Sequence, residues 1–155
     1  MSKLEIGSSV PEFELSDQNG KTFSLQQILG RKNLVIFFYP KDESLGCTAE
    51  ACSFRDDYEL FLEYDAVVIG ISHDSEDSHR NFAEKYQLPY ILLSDPGNKV
   101  RKMFGVPSSF MGLIPGRTTY IVDKQGKIRH IFNSQLAIKQ HVETALEVLM
   151  KLTSN

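Results

Sequence analysis

The only two thiols in this chain of 155 residues, Cys47 and Cys52, lie in one stretch, Phe38-Tyr39-Pro40-Lys41-Asp42-Glu43-Ser44-Leu45-Gly46-Cys47-Thr48-Ala49-Glu50-Ala51-Cys52. Pro40 ends a strand-like run, a polar turn follows, and a helical pattern begins at or just before Cys47. A thiol in the first turn of a helix sits beside unpaired backbone N–H groups and the positive end of the helix dipole. That environment favours the thiolate, the reactive form of cysteine. At an unperturbed pKa of about 8.5 roughly 3% of a thiol is ionised at neutral pH, whereas a pKa near 6 would ionise roughly 90%. Cys52 follows five residues later, which on a helix is about 140° of net rotation and about 7.5 Å of rise. The two Cα atoms would then be roughly 8.6 Å apart, beyond the roughly 7 Å that a disulfide spans. If Cys47 is oxidised and Cys52 resolves it, the helix start must unwind.

Other chemistries are less well supplied. Cys47 and Cys52 with two of His73, His79, His130 and His141 could in principle bind zinc, but the Cys-x4-Cys spacing is at the edge of common zinc patterns and no second pair lies close by. There is no Cys-x-x-Cys of a general disulfide oxidoreductase and no Gly-rich phosphate loop. Neither a metal nor a cofactor is expected.

The thiols are delivered by strand and helix patterns. Val10 to Leu15 alternates like a half-buried strand, Asn19-Gly20 marks a tight turn, and Thr22-Phe23 pairs back as a hairpin. Ser24 caps a short helix over Leu25 to Leu29, ended by Gly30. Leu34 to Phe38 is a continuous apolar run, as in a strand covered on both faces. A helix from about Cys47 to Tyr64 carries Cys47, Ala51, Phe54, Tyr58, Phe61 and Leu62 on one stripe. Ala66 to Ile71 is a second buried strand, followed by a helix capped by Ser75 or Ser78 and running to Tyr86. Tyr90 to Leu93 is a short strand, Lys99 to Phe104 a brief helix, and Gly105 to Gly116 a loop with apolar Phe110, Met111, Leu113 and Ile114. Thr118 to Val122 and Ile128 to Phe132 form a hairpin around Asp123-Lys124-Gln125-Gly126, and a helix from about Leu136 to Leu152 closes the chain. Parallel strands with crossover helices and a closing hairpin give an α/β fold with a mixed central sheet flanked by helices. The pattern resembles a thioredoxin-like fold with an N-terminal β-hairpin extension, in one domain over residues 1–155.

Composition agrees with such a domain: 41% hydrophobic and 24% charged residues are ordinary for a globular protein. A net charge of −3 gives no reason to expect nucleic acid or an anionic membrane as partner. No apolar run approaches the roughly 20 residues of a membrane span. The N-terminus shows neither the apolar core of a signal peptide nor an Arg- and Ser-rich transit segment, so the expected location is the cytoplasm, with a processed organelle form left open.

The cysteine segment closely resembles the peroxiredoxins, and among them the Q type, also called bacterioferritin comigratory protein. The active-site pattern of Pro, three residues, Thr, two residues, Cys is met by Pro40, Ser44 in the Thr place, and Cys47. Cys-Thr-x-Glu-x-Cys is met by Cys47-Thr48-Ala49-Glu50-Ala51-Cys52, and the remote arginine setting by Arg117-Thr118-Thr119-Tyr120-Ile121-Val122-Asp123. The similarity covers nearly the whole chain. Ser44 keeps the hydroxyl of Thr and loses a methyl, and Leu45 stands where the Q type usually has Pro.

The resemblance implies an antioxidant thiol peroxidase, acting on hydrogen peroxide and organic hydroperoxides. Cys47 would attack the peroxide and become a sulfenic acid, Cys52 would condense with it to a disulfide, and thioredoxin or a similar dithiol would reduce that disulfide. Arg117 would favour the thiolate and orient the peroxide; from the sequence without the resemblance it reads as a solvated residue after a loop. Ser44 would hydrogen-bond the thiolate or the peroxide and is also a turn residue. Glu50 either holds Arg117 by an ion pair or is an acid favoured by the helix dipole. Tyr39, Pro40 and Gly46 would shape the pocket. The apolar residues between Gly105 and Gly116 either rim the site or pack onto the domain. A monomer is implied, with weak dimerisation left open. The competing reading is a redox-sensing interaction protein, whose disulfide remodels a partner surface without efficient turnover.

Overall fold

The computed structural model describes residues 4–109 and 114–153, with the side chains of residues 109, 114 and 115 left aside. In chain order the strands are β1 (Glu14–Asp17), β2 (Thr22–Ser24), β3 (Asn33–Phe38), β4 (Ala66–Ser72), β5 (Ile91–Ser94), β6 (Ser108–Ser109), β7 (Ile114–Pro115), β8 (Thr118–Val122) and β9 (Ile128–Asn133). The helices are α1 (Leu45–Asp56), α2 (Tyr58–Glu63), α3 (Glu76–Tyr86), α4 (Lys99–Phe104) and α5 (Ile138–Thr153).

The apolar run of β3 is buried at every residue and takes a central place in a seven-stranded sheet of order β2-β1-β5-β4-β3-β8-β9. β3, β4 and β5 run parallel, while β8 pairs antiparallel to β3 and β1 antiparallel to β5. The sheet is therefore mixed, as the parallel run and closing hairpin in the sequence imply. Because side chains alternate along a strand, Val35, Phe37 and Tyr39 face the layer of α1, α2, α3 and α5. Leu34, Ile36 and Phe38 face the N-terminal segment and α4. Phe37 stacks on Phe54 of α1 at 4.5 Å between ring centres, which docks the helix bearing both cysteines onto the sheet. Gly70 in β4 makes room for that ring, since a Cβ there would lie 2.7 Å from Phe37 Cζ.

Several boundaries differ from those read in the sequence. The expected helix from Cys47 to Tyr64 is two helices, broken at Asp57 with φ −103° and ψ 11°. Leu62, expected on the buried stripe, is exposed, because the break takes the second segment out of register with the first. Val10 and Phe13 are buried but precede β1; Pro11 between them has no N–H to give a ladder. The helix after Ser24 is a 3-10 turn over Leu25–Gln27. The strand expected to start at Tyr90 starts at Ile91, and the last helix starts at Ile138, leaving Leu136 exposed. Part of the expected loop after Gly105 is the short ladder β6–β7. Phe110, Met111 and Leu113 lie outside the described residues, and Ile114 falls in β7.

Candidate active site

The turn between β3 and α1 is tied down by buried polar groups before it reaches the cysteines. Tyr39 is wholly buried, and its hydroxyl donates to Asp42 Oδ1 at 2.6 Å. Burial, and then the charge of Asp42, hold the phenol well above its ordinary pKa, so it stays a donor. Asp42 Oδ2 lies 2.7 Å from His79 Nδ1 and accepts from Ser78 Oγ at 2.8 Å, while the Asp42 backbone N–H donates to Asp74 Oδ2. His79 Nε2 meets the carbonyl of Leu93 at 3.0 Å. Tyr39 thus anchors the turn from within the core, while Pro40 beside it is half-buried. Among the described residues, Asp42, Asp74 and His79 are the group of metal-ligand type, and it includes neither cysteine.

Ser44 is the N-cap residue of α1, with extended backbone at φ −70° and ψ 153°, but its side chain caps no helix N–H. Its hydroxyl donates back to the carbonyl of Lys41 at 2.9 Å, closing the turn. Its one proton is thereby used, and its oxygen keeps the capacity to accept. Leu45 and Gly46 follow, and Cys47 is the third residue of α1, buried at 1% exposure. It lies in the first turn, where the N–H groups have no intrahelical partner.

Arg117, at the head of β8, reaches the same point from the other side of the chain. Its Nη1 donates to Glu50 Oε1 at 2.7 Å, with both side chains buried. A Cβ on Gly46 would lie 3.1 Å from Arg117 Nη2, so the missing side chain is what lets the guanidinium lie over the helix start. Burial works against the charge of Arg117, but Glu50 and then Cys47 more than compensate and raise its pKa. Burial pushes Glu50 up to about 7, against the opposing pull of Arg117. Of the two readings of Glu50, the geometry supports the one in which it holds Arg117, since its buried Oε1 accepts from Nη1 at 2.7 Å.

Cys52 is half-buried and remains a free thiol, as does Cys47. Burial raises its pKa and the charge of Arg55 lowers it in part. α1 runs unbroken through both cysteines.

Arg101 and His141 had no motif to reveal them, and Thr119 falls on an open position of the Arg117 pattern. Arg101 on α4 is buried, and donates from Nη1 to the carbonyl of Gly116 at 2.6 Å and from Nη2 to that of Tyr39 at 2.9 Å. It clasps the two backbone segments that carry Arg117 and the Cys47 turn. Burial lowers its own pKa to about 10, with Asp95 opposing. His141 on α5 and Thr119 on β8 complete the buried side of Glu50: Thr119 Oγ1 lies 2.7 Å from His141 Nδ1, which lies 3.5 Å from Glu50 Oε2.

The chain matches the AhpC/TSA family over residues 6–131. It is 49% identical over 150 residues to the chloroplastic peroxiredoxin Q of Sedum lineare, covering 97% of this chain and 80% of that protein. The chloroplastic peroxiredoxin Q of Arabidopsis thaliana is 51% identical over 147 residues, covering 95% of this chain and 68% of that protein. Among solved structures, peroxidoxin BcpB from Mycobacterium tuberculosis aligns with a TM-score of 0.88 at 36% identity, over 96% of this chain and 98% of that one. The bacterioferritin comigratory protein of Xanthomonas campestris, described for its alkyl peroxide reduction activity, aligns with a TM-score of 0.84 at 27% identity, over 96% and 97%.

Proposed function

The chain belongs to the AhpC/TSA family and is a thiol peroxidase of the peroxiredoxin Q type, and from that premise we propose how its residues divide the reaction. Cys47 is the nucleophile. Its thiolate attacks one peroxide oxygen; the S–O bond forms, the O–O bond breaks, and the leaving oxygen takes a proton and departs as water or alcohol. Arg117 balances the thiolate and holds the O–O bond in line, a positioning role in which small displacements are costly. Glu50 fixes Arg117, Gly46 gives it room, Pro40 lines the approach, and Tyr39 anchors the turn. Ser44 shapes that turn at rest, and its oxygen can accept from the peroxide O–H with its bond to Lys41 intact.

Cys52 then attacks the sulfenic sulfur, expelling hydroxide that leaves as water, and a disulfide results. An unbroken helix through both cysteines supports a step in which the first turns of α1 unwind. Thioredoxin is the dithiol reductant we assign. Hydrogen peroxide and organic hydroperoxides are both substrates in this reading, the latter in keeping with the activity of the Xanthomonas relative. A single domain and a monomeric working unit complete this reading. The relatives are chloroplastic, so a processed organelle form stands beside the cytoplasmic placement, and fractionation of the source cells decides between them.

The observation that carries the assignment is Arg117, held by Glu50 at 2.7 Å and interacting by charge with a buried cysteine in the first turn of a helix. Replacing Cys52 tests it. Cys52→Ser should allow one fast oxidation of Cys47 by peroxide and then stall; sustained thioredoxin-linked turnover in that variant would overturn the resolving role.

A further inference from the structure

Behind Arg117, two buried acceptor atoms face each other with no donor between them. Glu50 and His141 are both completely buried, and Glu50 Oε2 lies 3.5 Å from His141 Nδ1. His141 Nε2 is 2.8 Å from the carbonyl of Ser134, which can only accept, so Nε2 carries the N–H of the neutral ring. Nδ1 is then a lone pair, and Thr119 Oγ1 at 2.7 Å donates to it. Arg117 spends its Nη1 on Oε1, and Glu50 Oε2 has no hydrogen-bond partner. Two buried acceptors at this range repel unless a proton lies between them.

We propose that Glu50 carries one buried proton on Oε2, on the side facing His141, and that this proton keeps the charge of Arg117 free for the Cys47 thiolate. His141 is therefore a positioning residue, acting through Glu50 and Arg117. The inference rests on Cys47 being the reacting thiolate. With Glu50 ionised, carboxylate and thiolate would divide one guanidinium; with Glu50 protonated, the buried charges of Arg117 and Cys47 cancel. Burial raises Glu50 to about 7 and lowers His141 to about 4, which places the proton on the carboxyl and leaves the ring neutral. Among the described residues, the other charged or titratable groups around the pair are Tyr90 just before β5, whose phenol is raised by burial and then by Glu50, and Arg101 from α4 beside Arg117.

The proton also enters the balance of the reaction. The thiolate electron pair forms the S–O bond, and the leaving oxygen takes one proton from solvent. The sulfur is then neutral, Glu50 holds its proton less firmly, and one proton returns to solvent.

The test reads the Glu50 carboxyl directly by carbon-13 NMR, assigned by its loss in Glu50→Gln, with nitrogen-15 shifts of His141, on reduced full-length protein between about pH 5 and pH 9. We expect a Glu50 midpoint near 7 and a neutral Nε2–H ring. His141→Gln, whose amide can donate to Oε2, should lower that midpoint by at least about one unit, a tenfold loss of proton affinity. Cys47→Ser should lower it as well, because the neighbouring negative charge is gone. Should His141→Gln fail to fold, Thr119→Val frees the Nδ1 lone pair for the Glu50 proton and should raise the midpoint. Glu50 fully ionised at about pH 6 in the wild type, or a midpoint unmoved by these substitutions, overturns the proposal. None of these readings requires peroxide, so they stand apart from whether Cys47 turns over.

Discussion

Gly46 sets a local constraint on the reaction. A methyl there would meet Arg117 Nη2 at 3.1 Å, and the guanidinium, already held by Glu50, would have to shift to make room. Gly46→Ala is expected to slow Cys47 oxidation by about 100-fold, the order of loss for a misplaced reacting group. Stopped-flow measurement of a single turnover reads it; a rate within about twofold of wild type would mean the guanidinium is not positioned there. Ser44→Ala, by contrast, should cost at most about 1 kcal/mol in urea unfolding, since at rest it removes one hydrogen bond to Lys41. Cys47, Cys52 and Glu50 were legible because they share a short segment with helical spacing, and Arg117 because its flanks carry a pattern. His141 and Arg101 were not. Each is a polar residue within the core-facing side of a helix far along the chain, and only the tertiary fold shows what it meets.

At the scale of elements, α1 must be both a scaffold and the part that gives way. Its far end is docked by Phe54 on Phe37 at 4.5 Å, while its first turn carries the exposed Leu45 and the half-buried Ser44 and Gly46. Oxidation to the disulfide should remove amide-exchange protection over residues 45–52 and leave β3 and β4 protected. Unchanged protection in the oxidised protein would contradict unwinding. The turn before α1 is held separately. Asp42 and His79, at 2.7 Å and fully buried, form a pair whose disruption by Asp42→Asn should cost about 3 kcal/mol in urea unfolding. A loss below about 1 kcal/mol would mean the turn does not depend on that anchor. The anchor was not legible because Asp42 and His79 lie 37 residues apart, and the break at Asp57 was not because Arg55-Asp56-Asp57-Tyr58 has no glycine or proline to signal an end.

Over the whole molecule, the sheet was readable because β3 and β4 are continuous apolar runs and β8–β9 turn on Asp123, whose side chain accepts from the N–H groups of Gln125 and Lys127. The N-terminal strand was displaced because Pro11 interrupts an otherwise alternating run, and burial of Val10 and Phe13 did not require a ladder. Global stability also records the buried carboxyl. Glu50 has a folded pKa near 7 against 4.5 for an ordinary glutamate, so between those values the folded state binds more protons than the unfolded. Its contribution therefore falls as pH rises through that window, by up to about 1.4 kcal/mol per unit. Whatever its baseline, Glu50→Gln should gain stability relative to wild type across that window in urea unfolding; a constant difference would mean that Glu50 titrates normally. The reaction itself is best measured as peroxide consumption coupled to thioredoxin, thioredoxin reductase and NADPH, comparing wild type with Cys47→Ser. Sustained turnover by wild type that vanishes in the variant is the expected result. Turnover that survives the loss of Cys47 would contradict its assignment as nucleophile, and a single stoichiometric oxidation without turnover would favour a sensor over a peroxidase.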